Sequence, residues 1–166
     1  MSETVRVAVD AMGGDNAPGE MIKGAVEAVR KRSDMKVLLV GKQDLIEEAL
    51  AGYTYPKEQI EVVHASEVIE TAEPPVLAIR RKKDSSLVKA MQLVKNKEAD
   101  ALVSAGSSGA ILVGGQVLVG RIPGVNRAPL APLIPTAKGM SLLIDCGANV
   151  DARPAHLVQF AMMGSI

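Results

Sequence analysis

A chain of 166 residues suits one domain and is long enough to bury a hydrophobic core. Its 19 basic and 19 acidic residues cancel, so no global field favours nucleic acid or an anionic membrane. Aromatics make up 2% of the chain, as Phe160, Tyr53 and Tyr55 without Trp, which disfavours base-stacking and sugar-stacking sites.

The core must then be built from Val, Leu, Ile, Ala and Met, the usual filling of a parallel sheet covered by helices. A single cysteine, Cys146, excludes an internal disulfide and fits a reducing compartment. Met1-Ser-Glu-Thr4 carries an acid and no apolar segment, which argues against a secretory signal. The longest largely apolar stretch, Ala110 to Gly120, is too short to span a bilayer. A soluble cytoplasmic protein is the expectation.

Along the chain, strand and helix signals alternate. Thr4–Asp10 reads as a strand with Val5, Val7 and Val9 alternating, followed by a glycine-rich loop and a helix from about Pro18 to Arg32. Lys36–Val40 is a second strand and Gln43–Ala51 a short helix; Ile60–His64 is a third strand. Pro74 and Pro75 open a segment helical as far as Arg81, and Ser85–Lys97 is an amphipathic helix. Strand Ala101–Val103 precedes a glycine-containing helix near Gly109–Val119. The Pro-rich connection 122–135 cannot be a long helix and reads as a linker or a rigid surface loop. Ser141–Asp145 is a further strand and His156–Met163 a last helix. Repeated strand–helix units predict one α/β region over residues 1–166, with a mainly parallel sheet and helices on both faces.

Ligands in such sheets bind beyond the carboxyl ends of the strands, and three loops fall there. In Asp10-Ala-Met-Gly-Gly-Asp15-Asn16, one reading is a tight turn with Gly13 and Gly14 at positive φ and Asp15 or Asn16 capping the next helix. The other is a polar loop in which Asp10 and Asp15 orient partners and Asn16 donates to a ligand. In Ser104-Ala-Gly-Ser-Ser-Gly-Ala110, Gly106 and Gly109 allow close approach of backbone to an anion. Ser107 and Ser108 either cap the helix or donate to an oxygen. In Asp145-Cys-Gly-Ala-Asn149, an acid ends the strand, Gly147 permits a sharp turn, and Asn149 either caps or binds.

Cys146 is read as a small buried filler, because neither His64 nor His156 forms a Cys–His pattern with it. There is no Gly-Lys-Ser/Thr after a glycine loop, no Gly-x-Gly-x-x-Gly after the first strand and no zinc-ligand spacing. No cofactor or metal is expected. The basic run Arg80, Arg81, Lys82, Lys83 is either a solvated cluster or a docking point for an acidic partner.

Asp10-Ala-Met-Gly-Gly-Asp15, Arg80-Arg-Lys-Lys-Asp-Ser-Ser86, the Ser/Gly loop 104–110 and Ile144-Asp-x-Gly-Ala-Asn149 occur in one order. That set resembles the bacterial phosphate acyltransferases of phospholipid synthesis, from Val5 to the end of the chain. The resemblance implies transfer of a fatty acyl group from the acyl carrier protein thioester to inorganic phosphate, giving an acyl phosphate. It also implies a fold similar to the isocitrate and isopropylmalate dehydrogenases and to phosphotransacetylase, and a homodimer. Asp10, Asp145 and Asn149 become candidates at the reacting centre. Gly13, Gly14, Asp15, Asn16, Ser104, Gly106, Ser107, Ser108, Gly109, Arg127, Gly147 and Asn149 become candidates for binding phosphate or substrate, and residues 80–83 for docking the carrier protein. Ser107-Ser108 stand where the family loop carries Asn-Thr, and Arg127-Ala-Pro-Leu130 where it shows Arg-Pro-Ala-Leu.

Other readings are a phosphotransacetylase-like enzyme using acyl-coenzyme A and a non-catalytic phosphate- or acyl-binding fragment. Family chains are much longer, so residues 1–166 are expected to be the amino-terminal part of an enzyme. The rest would complete the sheet, the dimer contacts and any peripheral membrane association. On that expectation the part alone leaves Leu157, Val158, Phe160, Ala161 and Met162 needing a partner surface, self-associates and has little activity.

Overall fold

The computed structural model describes residues 4–166; the stretch that argues against a secretory signal lies largely in Met1–Glu3, outside them. Two compact units divide at Val119 and Gly120, where the sequence reads as one region.

The first unit holds a four-stranded parallel sheet in the order β3-β2-β1-β4. Its strands are β1 (Val5–Asp10), β2 (Met35–Gly41), β3 (Ile60–His64) and β4 (Ala101–Val103). Helices α1 (Gly19–Lys31) and α2 (Gln43–Leu50) follow β1 and β2, and α3 (Pro75–Arg81) and α4 (Ser86–Lys95) follow β3. After β4, α5 (Ser108–Gly114) continues as a π-helical turn over Gly115–Val119. Predicted and observed boundaries agree closely, with strands 60–64 and 101–103 identical.

Alternation along the strands sends side chains to both faces of the sheet. Val9, Val37 and Leu39 join Ile22, Val26 and Val29 of α1 and Ile46 of α2 in one core. Ala8, Leu38 and Val40 face the other way and pack with Ala90 and Ala99. A third cluster joins Ala78 and Ile79 of α3, Leu87, Val88 and Met91 of α4, and Ala110 of α5. Helices therefore cover both faces, which explains why the strands read as near-continuous apolar runs. Arg6 ties the start of β4 to β1, its backbone N–H and side chain all bonding the Asp100 carboxylate.

The second unit departs from expectation. The predicted strand at 141–145 is instead the antiparallel hairpin of β5 (Leu133–Thr136) and β6 (Gly139–Leu142), which begins inside the Pro-rich connection. Its turn is built locally: Gly139 takes φ +131, and Thr136 Oγ1 donates to the Gly139 carbonyl at 2.9 Å and accepts from Lys138 N–H at 3.3 Å. Pro135, which has no N–H, is tolerated because a two-stranded ribbon consists only of edges. Helix α6 (Pro154–Gly164) closes the chain. Phe160 is buried there, whereas Leu157, Val158 and Met162 are exposed. Among the described residues no helix is long and apolar enough to cross a membrane.

Candidate functional site

The strand order places β1 between β2 and β4, so the chain leaves β1 towards one edge and later returns to its other side. The loops after β1 and β4 therefore diverge at a topological switch point, the crevice where open α/β sheets bind ligands. Both loops belong to the first unit.

A buried carboxylate joins them. Asp10, only 3% exposed at the end of β1, accepts the Ser104 hydroxyl on Oδ2 at 2.8 Å and the Met12 N–H on Oδ1 at 3.3 Å. The Ser104 oxygen in turn accepts the Gly106 N–H at 3.1 Å. The glycines serve this contact. A Cβ at Gly13 would stand 2.5 Å from Asp10 Oδ2 and 3.0 Å from the Gly106 nitrogen. Gly14, at φ +105, passes close to Ala105.

Asp15 and Asn16 do not cap α1. The cap position falls at Pro18 without a side-chain bond, and only the Asn16 backbone carbonyl joins the helix, accepting Glu20 N–H at 3.2 Å. Both side chains are exposed and unbonded among the described residues, so the capping alternative fails for this pair. The two serines divide the roles the sequence left open. Ser107 caps α5, its hydroxyl buried and accepting the Ala110 N–H at 3.3 Å. Ser108 is exposed with its hydroxyl free among the described residues. Gly109 admits α3 to the start of α5, since a Cβ there would stand 2.8 Å from Pro75 Cγ.

The third loop lies in the second unit and is a clasp of its own. Asp145 accepts Leu130 N–H on Oδ1 at 2.6 Å, and Asn149 N–H on Oδ2 at 2.7 Å together with the Asn149 side-chain amide at 3.2 Å. Asn149 also donates to the Ala128 carbonyl at 3.1 Å. Burial pushes the Asp145 carboxyl up, but the donors from Leu130 and Asn149 outweigh it and hold the group below its ordinary value. Asn149 is thus a buried clasp residue and not a cap, and Gly147 turns the loop at φ +74. Cys146 is half-buried where a buried filler was expected. Arg127, beside the clasp, is exposed and unpaired among the described residues.

The basic run splits. Arg80 and Arg81 are exposed and form no ion pair among the described residues, while Lys83 reaches the Ile79 carbonyl at 3.4 Å. Lys82 turns inward, donating to the Val68 carbonyl at 2.6 Å and Glu73 at 2.5 Å, so it does not face solvent as expected. Asp84 continues the anchoring: Lys89 first, then the Ser66 hydroxyl and N–H, hold its carboxyl far below the carboxylate range. The sequence signal for this division is the helical phase, which puts Lys82 on the side of Ala78 and Ile79.

His64 and His156 each accept a backbone N–H on Nδ1, from Gln43 at 3.5 Å and Arg153 at 3.1 Å. No group of three or more His, Cys, Asp or Glu side chains among the described residues is placed to hold a metal ion.

Residues 5–166 match the family described as fatty acid synthesis protein. The protein named phosphate acyltransferase from Alkaliphilus oremlandii is 54% identical over 98% of this chain and 48% of its own length. Its namesake from Clostridium kluyveri is 52% identical over 96% of this chain and 48% of its own. The chain thus spans about half the length of these relatives. In fold it is similar to a phosphotransacetylase from Streptococcus pyogenes, with TM-score 0.65 and 14% identity over 95% of this chain and 51% of that one. By sequence, the chain belongs to the fatty acid synthesis protein family, among relatives named phosphate acyltransferase.

Proposed function

We propose that this chain contributes the phosphate-holding part of an enzyme that moves a fatty acyl group from an acyl carrier protein thioester to inorganic phosphate. The observation that carries the reading is the Asp10–Ser104–Gly106 clasp at the switch point. It holds two loops together and leaves Asp15, Asn16 and Ser108 exposed at their rim. The relatives named phosphate acyltransferase support the reaction class.

In that reaction a phosphate oxygen attacks the thioester carbonyl carbon, the C–S bond breaks, and the thiolate leaves to take up a proton. Thioesters are activated enough that no enzyme nucleophile is needed. The protein's task is to fix phosphate in line and stabilise the developing oxyanion, which is positioning plus electrostatic preorganisation. Ser108 Oγ and the side chain of Asn16 are the donors assigned to phosphate; Asp10 keeps the loops in register and is a positioning residue. Arg127 of the second unit is assigned to anion binding on its free charge. The Asp145–Asn149 pair holds its own loop in shape.

The enzyme is read as a cytoplasmic homodimer with an isocitrate/isopropylmalate dehydrogenase-like fold. The likeness in fold to phosphotransacetylase favours one second reading, in which acyl-coenzyme A is the donor. Acyl phosphate formation by an enzyme of the relatives' full length that carries these residues, followed with acyl carrier protein and with acyl-coenzyme A as donors, tests both. Faster transfer from the carrier protein is expected. Preference for coenzyme A would transfer the assignment to the second reading, and no phosphate-dependent loss of either thioester would end both.

A further inference from the structure

We infer that the exposed face of α3 is the landing strip of the acyl donor, with its first turn meeting the alkyl thioester and its second the donor's anionic carrier. At 100° per residue, Val76, Arg80, Leu77 and Arg81 fall within an arc of about 140°. Pro75, Ala78, Ile79 and Lys82 fall on the opposite arc. The structure fills that opposite arc: Ala78 and Ile79 are in the core, Pro75 packs at Gly109, and Lys82 bonds Val68 and Glu73. The open arc carries two large apolar side chains, Val76 at 54% and Leu77 at 44% exposure. It also carries two guanidinium groups with no ion pair among the described residues.

Position turns this amphiphilic strip into a donor surface. Residues three and four apart are neighbours on a helix, so Val76 and Leu77 lie one turn, about 6 Å, before Arg80 and Arg81. The apolar turn is the one packed at the start of α5, beside Ser107 and Ser108. A ligand spanning the strip would have its apolar part at the Ser/Gly loop and its negative part farther away. A long-chain acyl thioester on an acidic carrier has that polarity. An isolated hydrophilic helix face has no use for Val76 and Leu77, and a purely apolar interface has none for the two free arginines. The Lys82 bonds, with Ser85 Oγ donating to the Lys82 carbonyl at 2.8 Å, anchor the helix from beneath, so the strip is presented on a fixed support.

This inference rests on the transferase reading, and two variants, made in an enzyme of the relatives' full length that carries these residues, separate the two. Arg80→Glu/Arg81→Glu is expected to raise KM for palmitoyl carrier protein about tenfold at low salt and much less at high salt, as screening removes the charge contribution. KM for phosphate should not move. Val76→Ser/Leu77→Ser should raise KM for the palmitoyl donor several-fold and barely change it for the butyryl donor, because the lost contact scales with buried chain. Circular dichroism and the unchanged phosphate KM certify folding in both. Unchanged donor KM in both variants, with transfer intact, overturns the strip and leaves the transferase reading standing; loss of transfer in the unaltered protein overturns both. Binding to phosphatidylglycerol vesicles that the charge reversal abolishes, with donor KM unmoved, would assign α3 to a lipid surface and overturn the inference.

Discussion

Asp10 and Asp145 each hold two loops together with acceptor bonds, yet their surroundings differ. Asp10 ends a strand in a sheet covered on both faces, and its partners, Ser104 and Met12, come from loops whose glycines leave no spare room. Asp145 follows a two-stranded hairpin whose residues are all exposed, and its partners are mostly backbone N–H groups of nearby chain. In the first unit, packing fixes the frame and the carboxylate sets detail within it. In the second, hydrogen bonds make up most of the visible frame. Burial decides which of these two situations a clasp is in, because an unmade bond costs most where water cannot replace it.

The largest test of that contrast is a core deletion against a surface one. Leu39→Ala, at a fully buried position of the central sheet, should lower the stability of the first unit by about 2–5 kcal/mol. Leu133→Ser, on the exposed hairpin, should stay within about 0.5 kcal/mol. Hydrogen exchange read unit by unit measures both. A large loss at Leu133 would mean that the hairpin is covered in solution.

The division between the units also marks where the sequence was legible. Alternating valines in β1 and the helical spacing of Leu87, Val88 and Met91 in α4 are created by burial on a sheet or helix, so period and fold agree. The hairpin at 133–142 has no such signal, since both its faces are exposed and proline hides a strand among turn residues. At the site, the Asp–Gly–Gly and Ser–Gly patterns located both loops of the switch point. They could not say which polar groups were already spent. Ser107 is consumed by the helix start it caps, while Asn149 and Lys82 are consumed by carbonyls brought in from elsewhere in the chain, Ala128 and Val68. Asp15 and Asn16 are free because Ala17 and Pro18 intervene before α1 begins.

The two clasps should also respond differently to loss. Asp10→Ala leaves the half-buried Ser104 hydroxyl without its acceptor and should cost about 1–3 kcal/mol. Asp10→Asn, which retains an acceptor oxygen, should cost less. Asp145→Ala should cost less than Asp10→Ala in denaturant titration, because Asp145 is itself only half-buried and its partner Leu130 is exposed. Its signature lies in pH. The folded carboxyl sits below its ordinary value, so the stabilisation is fully present above the unfolded value of about 4 and is lost as pH falls through the folded value. Exchange protection of the Leu130 and Asn149 amides should therefore fade only in acid, and Asp145→Asn should remove that dependence. Equal protection at neutral and acid pH in the unaltered chain would show that the carboxylate does not hold the loop.

The smallest effect on stability carries the sharpest functional contrast, because Ser107 and Ser108 are adjacent and differently occupied. Ser107→Ala removes a cap whose hydroxyl accepts Ala110 N–H, at a cost of about 1 kcal/mol of stability. Ser108 is exposed with a free hydroxyl, so Ser108→Ala should leave the denaturation midpoint within about 0.5 kcal/mol of the parent. If that hydroxyl donates to phosphate, the same substitution should raise KM for phosphate by roughly tenfold, the equivalent of about 1.4 kcal/mol and of the size expected for a bond to an anion. Stability and KM should thus separate across two neighbouring residues. A phosphate KM that moves with Ser107→Ala and not with Ser108→Ala would place the anion's contact on the cap itself. A phosphate KM unmoved in the double variant would make both serines elements of the helix start and nothing more.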